Sequence, residues 1–188
     1  MISKTQVSLA GSVLFLHPKI DSTNLEAERF LHTADEGALH EGAVFIAKIQ
    51  TNGQGSFYRK WVSDLGGLYY SLLMPCSEAV AQTNALPQIA TCVRDVLFEF
   101  THLPVEVDHP NDLVVGDKKI GGILLKTLPK QMQHFIIIGI GINLNQSSFS
   151  DEIHMRATSV FQLTKKRISQ KAIATPLTLA LKKCLVSL

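Results

Sequence analysis

Long apolar runs are missing from this chain. No stretch approaches the roughly 18 consecutive apolar residues that a membrane helix requires, so no membrane partner is expected. A secretory leader finds little support. Gln6, Ser8, Gly11 and Ser12 interrupt the apolar residues after Lys4, and His17-Pro18-Lys19 is a poor cleavage context. Cysteine is sparse and odd in number, with Cys76, Cys92 and Cys184 far apart. That pattern suits a reducing compartment and argues against a disulfide framework or a zinc site, so a cytoplasmic protein is expected. Charge of one sign is also missing: 18 Lys plus Arg face 16 Asp plus Glu, a net +2, which gives no electrostatic case for a nucleic-acid partner. The seven histidines show no ligand-like pairing, so the metal ligands stay unknown. Repeats, linkers and low-complexity tracts do not occur.

What is present is enough for one core: 188 residues, 46% of them hydrophobic. Short buried strands are expected at Val13–His17, Ala43–Ala47 (continued by Lys48-Ile49-Gln50), Gly67–Pro75 and Phe135–Ile142. A helix is expected from Thr23, because Thr23 with Glu26 has the form of a capping box, with Leu25, Phe30, Leu31 and Ala34 as its apolar face. A second helical pattern runs from Asn84 to His102. Ala157–Leu163 reads as a short helix, and in the amphipathic stretch Ser169–Leu188, Pro176 either opens a new helix or breaks a longer one. The whole reads as one α+β domain, a largely antiparallel mixed sheet flanked by helices.

The most informative stretch is Val105–Lys126. Pro110-Asn111-Asp112 sets an amide beside a carboxylate in constrained backbone, Leu113-Val114-Val115 is a short strand, Gly116-Asp117 a turn, and Lys118–Lys126 the returning strand. Gly121-Gly122 inside that strand is locally costly and suits a place where backbone or ligand approaches closely. The hairpin reads either as a ligand site holding Asp112 and Lys119 or as a turn with incidental charges. Asp21–Asn24 is likewise either a helix cap or a polar recognition surface. The loop from Thr51 to Trp61 carries the only tryptophan next to Arg59-Lys60; it is either a plain surface loop or a seat for a nucleotide base and phosphates. It matches neither a Walker loop nor a dinucleotide fingerprint. Gly139 and Gly141 thin the cover of the last strand, and Asn143-Leu144-Asn145 is a turn or a ligand contact.

Taken together and in order, four segments resemble the catalytic domain of biotin protein ligases: Asp21-Ser22-Thr23-Asn24, the Gln50–Trp61 loop, Pro110-Asn111-Asp112 with Lys119-Ile120-Gly121-Gly122-Ile123-Leu124, and Gly139–Asn145. The proline-led segment is specific, and the others are strong only as a set. The resemblance implies a fold similar to class II aminoacyl-tRNA synthetases and a single catalytic domain over residues 1–188, with neither an N-terminal helix-turn-helix nor a C-terminal small β-barrel. It implies ATP with Mg2+, formation of biotinyl-5'-adenylate, and transfer of biotin to a lysine of a carrier protein of acetyl-CoA carboxylase type; it also allows a homodimer. Ser22, Thr23, Asn24, Gln50, Gln54, Gly55, Ser56, Lys119, Gly121 and Gly122 would bind biotin. Arg59, Trp61, Asn111, Lys119 and Asn143 would bind ATP. Lys119, Asp112 and Arg59 would act in catalysis.

The chain departs from the family pattern in the loop, where Gln54 and Ser56 replace two arginines, while Arg59 and Trp61 remain. Charge stabilisation would then lean on Lys119, Arg59 and Lys60. His109 stands where an aromatic residue is usual, and Asp108 where lysine is common. Two other readings stay open: a lipoate or octanoate transferase on the same fold, which the polar Ser22-Thr23-Asn24 and Gln50 set disfavours, and a non-catalytic biotin-binding relative, favoured by Gln54 and Ser56 alone.

Overall fold

The computed structural model describes residues 7–56, 59–82, 84–108 and 110–188. Lys4, Gln6, Phe57, Tyr58 and His109 lie outside the described residues. An eight-stranded sheet in the order β1-β2-β3-β4-β8-β7-β6-β5 organises the molecule. Its strands are β1 (Val7–Leu9), β2 (Ser12–His17), β3 (Ala43–Ala47), β4 (Leu68–Cys76), β5 (Glu106–Asp108), β6 (Asp112–Val115), β7 (Lys118–Lys130) and β8 (Gln133–Ile142). Only β2 and β3 pair in parallel; all other neighbours are antiparallel. The helices are α1 (Thr23–Thr33), α2 (Glu36–His40), α3 (Glu78–Gln82), α4 (Leu86–Thr101), α5 (Val160–Thr164) and α6 (Gln170–Val186). The expected α+β class and largely antiparallel mixed sheet are therefore observed.

Period-two alternation assigns the two faces of the sheet. Val44 and Ile46 of β3, Leu68, Tyr70 and Leu72 of β4, and Ile136, Ile138, Ile140 and Ile142 of β8 form one buried cluster with α4 and α6 residues such as Ile89, Val93, Leu97, Ile173 and Leu177. Their neighbours Phe45, Leu73, Phe135 and Ile137 pack on the other face beneath Ala27 and Leu31 of α1. Phe15 stacks on Phe45 at 5.0 Å, with Phe30 tilted across at 5.1 Å. At roughly 1.5–3 kcal/mol per fully buried large apolar side chain, these two layers dominate the stability. The α1 face then changes character along the strands. Ser71 pairs with Gly139, and Tyr69 with Gly141, while Gly141 also pairs with Gly122 and Gly122 with Asp112. Side chains shrink to almost nothing there, and a trough opens.

Several local expectations change. Thr23 is the first helical residue and Ser22 the N-cap, with no side-chain cap bond; Glu26 pairs with Arg29 instead. The buried stripe of α1 is Thr23, Asn24, Ala27 and Leu31, polar at its start because that end faces the trough. β7 continues past Lys126 to Lys130 and turns directly into β8, since ten paired positions outweigh the weak strand character of its end. The helix expected over Ala157–Leu163 begins only at Val160, capped by the Ser159 side chain. Pro176 neither opens nor ends a helix: α6 runs through it, held by Ile173, Ala174, Leu177 and Leu181 in the core. The short helices α2 and α3 are too brief to leave a periodic signal. Among the described residues no helix is long and apolar enough to cross a membrane.

Candidate functional site

A cavity of about 960 Å³ lies over the trough, at the upper end of the size usual for small-molecule sites. One end is polar. The turn entering α1 is braced by Asp21, whose carboxylate accepts from the Ser22 N–H at 2.7 Å and takes both terminal nitrogens of Arg29 at 2.8 and 2.9 Å. The Arg29 guanidinium holds the Asp21 carboxyl below the usual carboxylate range. Ser22, Thr23 and Asn24, all buried, then line the cavity. Gln50 meets them from the far end of the β3 segment: its side-chain oxygen accepts from the Thr23 N–H at 2.8 Å, and its nitrogen donates to Ser63 Oγ at 2.8 Å. Ser63 in turn donates to the Trp61 carbonyl at 3.0 Å.

The floor explains the glycines. A Cβ on Gly141 would sit 2.6 Å from the Trp61 indole, so the ring lies on bare strand backbone. A Cβ on Gly139 would overlap the Asn24 amide. Gly122 also faces the cavity, with the Trp61 ring, Lys119 and Asp112 around it. Gly121 does not, contrary to expectation: its missing side chain points toward Leu113 and the Gly141 carbonyl, where close strand packing needs the space. Among the described residues the buried Trp61 Nε1–H has no acceptor, a donor left over in the wall of the site.

The charged end is Lys119 with Asp112. Lys119 Nζ lies 2.7 Å from Asp112 Oδ2, both side chains about one-third exposed, and 5.2 Å above the Trp61 ring. A β-bulge makes this pair. The register runs Leu113 with Gly121 and then Val114 with Lys119, so Ile120 is the extra residue. Strict alternation from Gly122 would send Lys119 away from the cavity. Instead Ile120 is buried in the α4–α6 core, and Lys119 falls on the face of Asp112, as bulges commonly re-aim a side chain. The segment after β8 locks the result: Lys119 N–H donates to Arg156 O at 2.8 Å, and Thr158 N–H to Lys119 O at 2.9 Å.

The 53–61 loop folds back on itself, with Gly55 N–H donating to Arg59 O at 2.8 Å and Trp61 N–H to Gly53 O at 2.9 Å. Gln54, Gly55, Ser56, Arg59 and Lys60 line the cavity, and Arg59 Nε donates to Ser56 O at 3.2 Å. Asn111 lines it too, but its amide nitrogen is committed to Ser56 Oγ at 2.7 Å and Ile123 O at 3.0 Å. Asn143, buried at the rim, donates to Thr158 O at 3.0 Å; Asn145 exchanges bonds with Ile168. These amides hold chain segments together. Apart from Gly121, every site residue expected from the sequence lines this one cavity. Sequence reasoning passed over Ser71, Ser63 and the cavity-lining Arg156 and Arg167, because isolated serines and arginines carry no spacing signal. Among the described residues no group of three or more His, Cys, Asp or Glu could hold a metal ion.

A protein built this way, a polar pocket and a lysine–aspartate pair on one face of a mostly antiparallel sheet, belongs to the biotin/lipoate A/B protein ligase family, whose model matches residues 16–143. Within that family the chain is similar to the bifunctional ligase/repressor BirA of Bacillus subtilis (strain 168), 30% identical over 185 residues, which covers 96% of this chain and 55% of that protein. To the protein of the same name from Escherichia coli (strain K12) it is 36% identical over 138 residues, 71% of this chain and 41% of that one. The chain thus spans about half the length of the curated relatives it matches. Among solved structures, biotin protein ligase from Aquifex aeolicus in complex with biotin and ATP superposes with a TM-score of 0.77 at 31% identity, covering 93% of this chain and 70% of that one. The resemblance read from the four sequence segments is borne out.

Proposed function

We propose that the chain activates biotin with ATP to biotinyl-5'-adenylate and then passes the biotinyl group to a lysine of a biotin carrier domain of the acetyl-CoA carboxylase type. The observation that carries this reading is the continuity of one cavity from a buried hydroxyl-and-amide end to the Lys119–Asp112 pair. A cyclic urea presents one acceptor oxygen and two N–H donors, and each needs a partner once buried. Ser22, Thr23, Asn24 and Gln50 supply such partners. A dithiolane or fatty chain would offer no bonds to the capacity these groups have left over, which costs free energy when buried, so a lipoate substrate fits poorly. The apolar part of biotin would run past Asn24 and the Trp61 ring, which lie on Gly139 and Gly141, bringing its carboxylate to Lys119 beside Gly122.

In the first half-reaction a carboxylate oxygen attacks the α-phosphorus, the bond to pyrophosphate breaks, and the mixed anhydride forms. Lys119 offsets repulsion between the two anions and stabilises charge building on the phosphoryl oxygens. In the second, the neutral amine of a carrier lysine attacks the anhydride carbonyl and AMP leaves as the amide forms; Asp112 orients the amine and helps take its proton. Trp61 flanks the adenine and Arg59 the phosphates, while Asn111 and Asn143 act at one remove by holding loop and rim. Magnesium ordinarily binds through one or two carboxylates plus substrate phosphates, not an all-protein cage. Asp112, which shares the cavity wall with Asp64, would help hold it beside ATP, where it would neutralise phosphate charge.

The test is direct. With biotin, ATP, Mg2+ and a biotin carrier domain, the carrier should gain the mass of one biotinyl group, and lipoate in place of biotin should leave it unmodified. A carrier of unchanged mass overturns the reading.

A further inference from the structure

The segment after β8 brings two further cations to the cavity wall, Arg156 and Arg167. The asparagines that close β8 set both in place. Asn143 Nδ2 donates to the Thr158 carbonyl at 3.0 Å, two residues past Arg156. Asn145 exchanges bonds of 2.7 and 2.8 Å with Ile168, the residue after Arg167. Arg156 is fixed a second time, because its carbonyl accepts from the Lys119 N–H at 2.8 Å. Arg167 lays its guanidinium 4.6 Å above the Phe161 ring, a stacking contact that occupies the face of the group and not its N–H edge.

Charge indicates their use. The whole chain carries a net +2. Yet Arg59, Lys60, Lys119, Arg156 and Arg167 line this one cavity against only Asp64 and Asp112 among the described residues, and Asp112 already pairs with Lys119. Among the described residues neither Arg156 nor Arg167 forms an ion pair. Arg156 makes one long side-chain bond, to the Glu152 carbonyl at 3.5 Å. Cations gathered on a concave wall focus a positive potential there. The single carboxylate of biotin does not need so many partners. A chain of phosphates does, and the guanidinium fork matches phosphate oxygens two at a time.

We propose that Arg156 and Arg167 form a polyphosphate clamp for the β- and γ-phosphates of ATP, the part that leaves as pyrophosphate, while Lys119 serves the carboxylate and the α-phosphate. This deepens the biotin reading and rests on it for the nucleotide. The clamp acts in adenylate formation and in nothing after it, since biotinyl-adenylate has lost both outer phosphates.

Calorimetric titration with inorganic pyrophosphate and Mg2+, in the absence of biotin, tests the clamp apart from the biotin chemistry. Arg156→Gln and Arg167→Gln, both at exposed positions, should each weaken binding about tenfold, the weight of one charge-assisted hydrogen bond. Arg94→Gln, which removes a cation of α4 outside the cavity, should leave it unchanged. In turnover the KM for ATP should rise by a similar factor in each clamp variant, and lysine at either position should restore part of the loss. Single-turnover transfer from pre-made adenylate should keep the parental rate. A parent that does not bind pyrophosphate, or binds it no better than the double variant, overturns the proposal. So does an equal loss in both half-reactions, the mark of a merely structural rim, or a raised KM for the carrier alone, the mark of a docking surface. Arginine-dependent pyrophosphate binding in a chain that leaves the carrier unmodified would keep the clamp and refute the biotin reading instead.

Discussion

Lys119 and Asp112 pair at 2.7 Å, so bound anions must share the ammonium with the carboxylate. Lys119→Ala should cut biotin-dependent pyrophosphate release by about 10²–10³-fold, the usual weight of one preorganised charge stabiliser, with folding intact. A parental rate of adenylate formation would remove Lys119 from this role. Asp112→Asn keeps the shape and removes the charge. Single-turnover transfer from pre-made adenylate to the carrier should slow by about 10²-fold or more, at least as much as adenylate formation, and an unchanged transfer rate would count against Asp112. Asp21 makes a pH prediction. Hydrogen bonds from Arg29, then from the Ser22 N–H, lower its folded pKa, so its stabilisation is present above the ordinary carboxylate value of about 3.9 and is lost as pH falls through the lower folded value. Denaturant midpoints should fall more steeply on acidification below about pH 5 in the parent than in Asp21→Asn.

At the scale of elements, the site exists because strands β8 and β7 give up side chains where α1 and Trp61 descend on them. Gly139→Ala would place a methyl group in the space of the Asn24 amide. Biotin affinity should drop by tenfold or more, the weight of at least one buried hydrogen bond, while the remainder of the sheet, already packed on both faces, holds. Calorimetric titration of the variant beside the parent gives the answer. Helix α6 carries a different cost. Pro176 removes the N–H that would reach the Ala172 carbonyl, and proline inside a helix is about 3 kcal/mol less favourable than alanine. Pro176→Ala should therefore raise the unfolding free energy by about 1–3 kcal/mol, read as a shift in denaturant midpoint. No gain would mean that the backbone around Pro176 is already relaxed.

At the scale of the whole molecule, the cavity wall joins elements far apart in sequence, and its cations are distributed differently from the family loop. Ser56 stands where that pattern has arginine, and here its hydroxyl accepts from Asn111. Ser56→Arg gives up that bond, although Asn111 keeps its bond to the Ile123 carbonyl. One well-placed charge-assisted bond is worth about 1.5–3 kcal/mol, so release of biotinyl-adenylate should slow about tenfold or more, with biotin affinity little changed in the absence of ATP. Emission from Trp61, the only tryptophan, follows the release rate. An unchanged rate with folding and binding intact would mean that the missing arginine does not set the lifetime of the intermediate.

Much of this molecule was legible in the chain. The apolar runs Ala43–Ala47 and Phe135–Ile142, the Asn84–His102 helical pattern and the punctuation at Gly116-Asp117 are local signals, and local backbone and solvation preferences read them the same way in any context. Local chemistry made the polar end and the Lys119–Asp112 hairpin candidates only, since paired glycines and a constrained Pro-Asn-Asp are costly unless something is built on them, and the resemblance of four ordered segments to biotin protein ligases chose the ligand-site reading. Other features are relations between segments, and no window of sequence contains them. The bulge at Ile120 decides which face Lys119 occupies, through the partner strand and the apolar pull of the α4–α6 core. Thr23 leaves its capping role because Gln50 and Ser71, 27 and 48 residues away, offer its side chain buried partners. Gly121 and Gly122 look alike in sequence, yet one packs between strands and the other opens the trough. Local chemistry and the resemblance, in short, named the groups of the site; long-range packing, which alone sets register and burial, chose the directions in which they point.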